Sequence, residues 1–349
     1  MKNAIVSCAG TNGIRKNIGD HVQSIAANQF MRTSVMVDRE HLDTYSGEPV
    51  KVIMNGWFMH HPERFPPAEA IHPLFVSFHL RPKIGKRFLT EATIAYLKAH
   101  GPIGCRDKQT MRTLQACGID AYFSACLTLT LGRTFPRAPK SEQRGVCFVD
   151  PLRVFDGLEV WKGLPRIVRH PLMTMRLYRK LAKQALKGER LAVRIWSFFA
   201  LGAFLKAYRA LFSDELLLSA EYYTHAVAEK DCATIEEQFD MARRLLDRYA
   251  HAKYCVTSRI HCALPCIGMG VPVIYIDSES KRVGKGRYGG LSGFFNRAKI
   301  TGGRLSPQFK LIGGKRPHGI GEDAPVPATT RHREAARVLA ERCEAFAAE

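Results

Sequence analysis

Residues 253–277 read KYCVTSRIHCALPCIGMGVPVIYID. KYCVT (253–257) and VPVIYID (271–277) are short runs rich in β-branched and aromatic residues, the composition of buried strands. Apolar residues spaced for a helix fill the gap to about Met269. Proline is tolerated in a helix only within its first turn, where no N–H is owed, so Pro265 puts the expected helix start near 261–265. Strand, helix and strand in succession form the unit of a parallel sheet. Arg259 and His261 then lie in or beside a strand-to-helix turn, the place where open α/β sheets bind ligands.

The alternation continues outward in both directions. ATIEEQFDMARRLLDRYA (233–250) has helical spacing, and Val146–Val149 starts a strand. Towards the N-terminus, Asn3–Cys8 reads as a strand, AGTNGIRKNIGD (9–20) as a Gly-rich loop and HVQSIAANQF as a helix. SVMVD (34–38), VKVIMNG (50–56), LFVSF (74–78) and Pro102–Cys105 are strand-like, while TEATIAYLKA (90–99) and KQTMRTLQA (108–116) are helix-like. GRTFPRAPKSEQRG (132–145), rich in Pro, Gly and charge, marks a seam. The expected class is α/β with two doubly wound domains, 1–138 and 139–320. A linker and terminal helix follow (321–349), the helix packing through Ala336, Leu339, Cys343 and Phe346.

Composition sets the bounds. The 349 residues, 46% hydrophobic and 24% charged, suit about two globular domains and exclude a disordered, collagenous or coiled-coil chain. A net charge of +20 calls for an anionic partner. The cysteines fall mostly within apolar runs, no CxxC pair occurs, and MKNAIVSCAG lacks a signal-peptide core, so a reducing, cytoplasmic setting is expected. The longest apolar run, Ile195–Leu205, is shorter than the roughly 20 residues that span a bilayer.

Between Leu152 and Phe212 thirteen Lys and Arg face three acids, about half the excess charge of the chain. Leu191, Ile195, Phe198, Phe199 and Leu205 are spaced to share one helical face, with Arg176, Arg179, Lys180, Lys183, Lys187, Arg190 and Arg194 adding charge in and around it. This basic helical insertion reads either as a face lying on an anionic membrane or as a unit packed on the second domain with a solvated basic side. No nucleic-acid-binding pattern is present, so nucleic acid is not an expected partner.

Three strand ends carry candidate chemistry. The first-turn loop places glycines at 10, 13 and 19 and polar Asn17 and Asp20 where a helix start favours an anion. At Gly104-Cys105-Arg106-Asp107, Asp107 reads as a helix N-cap and Arg106 projects from a strand end. Arg259 and His261 pair an anion-binding fork with a group that titrates near neutral pH. His79 and His225 follow strand-like runs, and His60 and His61 sit in a loop. Cys262 and Cys266 lack the further ligands of a zinc site, so no metal is expected.

Taken in order, N-I-G-D (17–20), G-C-R-D (104–107), T-S-R-I-H-C-A-L-P-C (257–266) and G-V-P-V-I (270–274) resemble the polysaccharide pyruvyl transferase family. V-I-M-N-G-W-F-M-H (52–60), P-L-F-V-S-F-H (73–79), Y-F-S-A-C-L-T-L-T-L (122–131) and G-R-Y-G-G-L (286–291) are similar too. The likeness leaves out about 150–215 and the tail. It implies two Rossmann-like domains facing a cleft, in a glycosyltransferase-B-like plan, with the last helix crossing back to the first domain. The implied activity transfers pyruvate from phosphoenolpyruvate, the donor substrate, to a sugar as a cyclic ketal, with no cofactor. On that reading Arg106, Arg259, Ser258 and His261 bind phosphoenolpyruvate, His261 is the general acid and Asp20 the base. Asn17, Gly19, Asn55, His79, Asp107 and His225 line the acceptor side or cleft. The acceptor would be a sugar of a cell-surface glycan or its lipid-linked precursor, reached at the inner face of the membrane. Arg259→Ala is expected to abolish turnover with folding intact. A nucleotide-sugar glycosyltransferase of the same plan is the alternative, and a non-catalytic glycan- or membrane-binding protein the third reading.

Overall fold

The computed structural model describes residues 1–8, 15–58, 61–81, 85, 87–228, 232–277, 289–310 and 319–349. Gly10, Gly13, His60 and 286–288 lie outside the described residues. In the first half the chain runs β1 (Lys2–Ser7), β2 (Arg15–Asn17), α1 (Ile18–Met31), β3 (Met36–Asp38), β4 (Val50–Met54), β5 (Ile71–Phe75), α2 (Glu91–Ala99), β6 (Ile103–Cys105), α3 (Lys108–Gln115) and β7 (Ala121–Phe123). Four strands pair in parallel in the order β3-β1-β4-β5, and β6 pairs in parallel with β7. A parallel bridge between Phe78 and Cys105 links the two sets.

The expected strand LFVSF is displaced. The strand ends at Phe75, and Ser77 adopts φ +57°, a left-handed conformation no strand tolerates. The Ser77 N–H donates to the Ser124 hydroxyl, and its own hydroxyl accepts from the Leu127 N–H, so the kink is fixed by polar contacts invisible in the local pattern.

The second half continues with β8 (Val146–Val149), α4 (Gly157–Arg169), α5 (Pro171–Gln184), α6 (Leu191–Tyr208), α7 (Asp214–Ser219), β9 (Glu221–Tyr223), β10 (Ala226–Ala228), α8 (Ile235–Ala250), β11 (Tyr254–Thr257), α9 (Ile260–Gly268), β12 (Val273–Asp277), β13 (Asn296–Thr301), β14 (Arg304–Pro307) and α10 (Arg333–Ala348). Its six-stranded sheet has the order β14-β13-β12-β11-β8-β9, parallel except for the edge pair β13-β14. The molecule is therefore mixed α/β with parallel sheets. Helix α9 begins at Ile260, one residue earlier than expected, which leaves Pro265 beyond the first turn and the helix without that N–H.

Three apolar cores hold these layers. One packs Phe75, Phe78 and Phe88 beside the first sheet. Another joins the α4–α6 helices to the second sheet through Phe148, Tyr208 and Tyr222. The third is shared by both halves: α1, the 3-10 helix Leu127–Arg133, α8, α9 and the face of α10 around Leu339 and Cys343. Glycines let the backbones meet there. A Cβ on Gly268 would stand 2.3 Å from the Leu129 carbonyl oxygen, and one on Gly132 would stand 2.4 Å from that of Gly268. Nine of the ten cysteines are buried as free thiols.

The stripe expected on α6 is divided. Leu191, Ile195 and Phe199 are exposed, whereas Leu205 is buried in the core, because the helix passes from surface to interior along its length. By length and composition α6 qualifies to cross a membrane, and half of it is buried inside the protein.

Candidate functional site

The strand-to-helix turn at α9 meets the start of α1. A Cβ built on Gly19 would lie 3.0 Å from His261 Nδ1 and 3.3 Å from His225 Nδ1, so any larger residue would crowd both imidazoles. His225 arrives because β10 pairs antiparallel with β2, opposing Ala226 to Asn17, and because the Ile18 N–H donates to the His225 carbonyl at 2.9 Å. Asn17, Gly19, His225 and His261, far apart in sequence, thus converge where the two halves touch.

Asp150 organises the cationic side. It follows β8 directly, at φ +51°, a left-handed conformation that Asp tolerates better than most residues. Arg259 Nε donates to its Oδ2 at 2.5 Å, the Thr224 hydroxyl donates to Oδ1 at 2.7 Å, and the His225 N–H donates to Oδ2 at 3.2 Å. Burial works to raise this carboxyl, but the charges of Arg259 and His225 and the hydrogen bonds from Thr224 and Arg259 outweigh it and bring it down to about 2. The guanidinium is therefore held by a permanent carboxylate. His225 is buried, its Nε2 2.9 Å from the Tyr249 hydroxyl, and burial above all pushes its pKa below the ordinary value. The Ser258 hydroxyl in the same turn is buried with no hydrogen-bond partner among the described residues, which suits a donor awaiting a ligand.

Asp20 is placed on α1 with two partners: Asn17 Nδ2 donates to its Oδ1 at 3.0 Å, and Arg39 stands 3.5 Å from Oδ2. As the N-cap residue of α1, Asn17 bonds this side chain instead of the helix backbone. Asn55 is buried and donates to the Gln23 carbonyl of α1 at 2.9 Å.

The G-C-R-D segment builds a second constellation. Asp107 caps α3 as expected, accepting from the Thr110 N–H at 2.9 Å, and its other oxygen lies 2.6 Å from His79 Nδ1. Both are buried, and Arg106 is 3% exposed. Burial opposes the Asp107 charge, yet His79, the Thr110 N–H and Arg106 together lower its pKa. His79 and Asp107 are closed on one another and set a carboxylate beside Arg106. His61 lies against Glu63, separate from either group.

Three contributors escaped the sequence reading: Asp150, Arg39 and Tyr249. Asp150 and Arg39 each follow a strand directly, the signal that marked Arg259, and Asp150 could have been found by it. Beside the Arg259–Asp150 pair opens a cavity of about 540 Å³, whose other walls include Thr224, Leu186, Val193 and Trp196. It has a charged end at the second sheet and an apolar side supplied by α5 and α6.

Two parallel-sheet layers with cationic and imidazole groups gathered at their strand ends define an α/β enzyme suited to an anionic substrate. The family model "Polysaccharide pyruvyl transferase" matches residues 17–280, three quarters of the chain, and the chain belongs to that family. The matched span includes the basic insertion, which the motifs alone had left outside. Membership makes the protein a transferase of polysaccharide biosynthesis with a glycan acceptor, and does not favour the nucleotide-sugar alternative. No curated protein matches the chain significantly.

Proposed function

We propose that the protein transfers pyruvate from phosphoenolpyruvate to two hydroxyls of one sugar, forming a cyclic ketal. The convergence of Arg259, Ser258, His261, His225 and Gly19 at the junction of the halves, in a chain of this family, carries the reading. Phosphoenolpyruvate brings a phosphate and a carboxylate, matched by Arg259 and Arg106 with the Ser258 hydroxyl. His261 protonates the methylene carbon, and the cationic C2 accepts the first hydroxyl, deprotonated by Asp20. The second hydroxyl displaces phosphate. One hydroxyl proton is thereby accounted for in the new methyl group and the other in the released phosphate. Asn17, Gly19, Asn55, His79, Asp107 and His225 shape the cleft, and the two sheets act as Rossmann-like domains in a glycosyltransferase-B-like plan, divided near residue 138. The acceptor is a cell-surface glycan or its lipid-linked precursor, met in the cytoplasm at the membrane.

The Asp150 pairing changes the expected test. Arg259→Ala would leave a buried carboxylate without its countercharge and damage folding, so Arg259→Lys is the better variant. Phosphoenolpyruvate at about 100 times its Kd should add about 2.7 kcal/mol of stability. Thermal unfolding should show stabilisation beyond that given by inorganic phosphate in wild type, and little in Arg259→Lys. Stabilisation by UDP- or GDP-sugars alone would replace this reading with the glycosyltransferase one.

A further inference from the structure

Eleven large hydrophobic side chains are exposed among the described residues, and eight of them lie on α4–α6. Leu158, Trp161 and Val168 stand on α4, Leu172 on α5, Leu191 and Ile195 on α6; Trp161 is 74% and Val168 82% exposed. Such a concentration on one supersecondary unit marks an interaction surface, since scattered single exposures are the norm elsewhere. Lys162, Arg169, Arg176, Arg179, Lys183 and Arg190 are exposed on the same helices and their connection, with no acidic partner among the described residues.

We infer that the three-helix insertion docks on an anionic lipid surface, with Trp161, Val168, Leu172 and Ile195 entering the acyl boundary and the cations meeting the headgroups. This rests on the proposed use of a lipid-linked acceptor and names the surface that reaches it. Charge decides the occupant. A second copy seated face to face by two-fold symmetry would set one strongly basic patch against another. Isolated aliphatic side chains such as Val168 and Leu172 offer nothing for a base to stack on, but they are what a hydrocarbon boundary accepts.

The surface also lies next to the cavity. On α6 the exposed stripe Leu191, Ile195 and Phe199 is one residue out of step with Ala192 and Trp196, which line the cavity ending at Arg259 and Asp150. One position is a rotation of about 100° around the helix, so the lipid-facing stripe and the cavity wall are adjacent faces. Docking would set the cavity at the headgroup level, where a sugar carried on a lipid is found.

The test is co-sedimentation of the purified full chain with phosphatidylcholine vesicles, with and without 30 mol% (about a third) phosphatidylglycerol, at low and high salt. Wild type should bind the anionic vesicles at least tenfold more tightly than the neutral ones, and less tightly as salt rises. Trp161→Ser/Val168→Ser/Leu172→Ser and Arg176→Glu/Arg179→Glu/Lys183→Glu should each lose at least tenfold. All six sites are exposed, and circular dichroism confirms folding. Brominated acyl chains should quench tryptophan emission in wild type and not in Trp161→Phe. Absence of binding at either salt, equal binding to neutral vesicles, or triple variants that bind as wild type would overturn the proposal. So would a dimer that the apolar variant dissolves while no vesicle binds. Stabilisation by phosphoenolpyruvate, measured in parallel, separates the outcomes: its absence beside intact vesicle binding sinks the ketal chemistry and leaves the docking surface standing.

Discussion

Asp150 carries a charge whose whole surroundings are arranged to keep it: one guanidinium, one hydroxyl and one backbone N–H converge on two oxygens. Asp150→Asn keeps the shape and removes the attraction for Arg259. Because the folded carboxyl titrates at about 2 while an unfolded aspartate titrates near 3.9, its contribution is fully present above about pH 4 and is lost as pH falls through about 2. The contribution is roughly 2–3 kcal/mol. Urea unfolding at pH 6 should show Asp150→Asn weaker by about that amount, with the difference shrinking towards pH 2, and the variant should no longer be stabilised by phosphoenolpyruvate. A pH-independent difference would mean that packing, not charge, is at stake. Arg259 and His261 were legible because a strand, a turn and a proline fixed their place locally. Asp150 is 109 positions from Arg259 and Arg39 nineteen from Asp20, so those partnerships exist only once the sheets form.

Helices α4 and α6 cross with their backbones in contact. A Cβ on Gly163 would stand 2.2 Å from the Ala203 nitrogen, and one on Gly202 would stand 2.4 Å from the Gly163 carbonyl oxygen. Glycine inside a helix costs up to about 1 kcal/mol against alanine, so its presence at both positions answers to the crossing. Gly163→Val must push the helices apart and should cost about 3 kcal/mol, the upper range for overpacking, because backbone cannot rotate away as a side chain can. A lower thermal midpoint with loss of vesicle binding is the expected result; an unchanged midpoint would show that α4 shifts freely. The charge count announced this insertion, but the periodicity of α6 did not reveal which apolar residues face outward. A 3.6-residue stripe looks the same on a core helix and on an exposed one. The pair β2-β10 and the strands β9 and β14 went unread because strands of three or four residues carry too few alternations to register, whereas β13, six residues long with alternating burial, carried the signal and was missed.

The two halves are tied by α10, whose chain leaves the second half through the Tyr254 hydroxyl bonded to the Gly321 carbonyl and Asn296 Nδ2 bonded to that of Pro327. It ends on the first half, where Lys51 Nζ donates to the Phe346 carbonyl at 2.7 Å, Arg342 covers the Tyr122 ring and Arg133 pairs with Glu344. The sequence showed the packing face of this helix, and the family resemblance its return to the first domain. His332 at its N-terminus is buried in a cleft that Arg133, Arg137, Arg333 and Arg337 also line. Burial, aided by Arg333, pushes this imidazole down to about 4. A cation is doubly unwelcome there, at the positive end of a helix and among arginines. Stability is therefore fully present above about pH 6.5, the unfolded value, and is lost as pH falls towards about 4, because the unfolded chain takes up a proton that the folded one resists. Buried His225 adds to the loss with the same sign. Thermal midpoints of wild type should fall between pH 6.5 and 4, and His332→Gln should fall less steeply over the same interval. If His332 guards the joint, limited proteolysis at pH 4.5 should release α10 from wild type faster than from the variant, while at pH 7.5 both resist. Equal slopes and equal cleavage would assign the acid sensitivity to His225 and the interior, and α10 would then hold the halves together independently of pH.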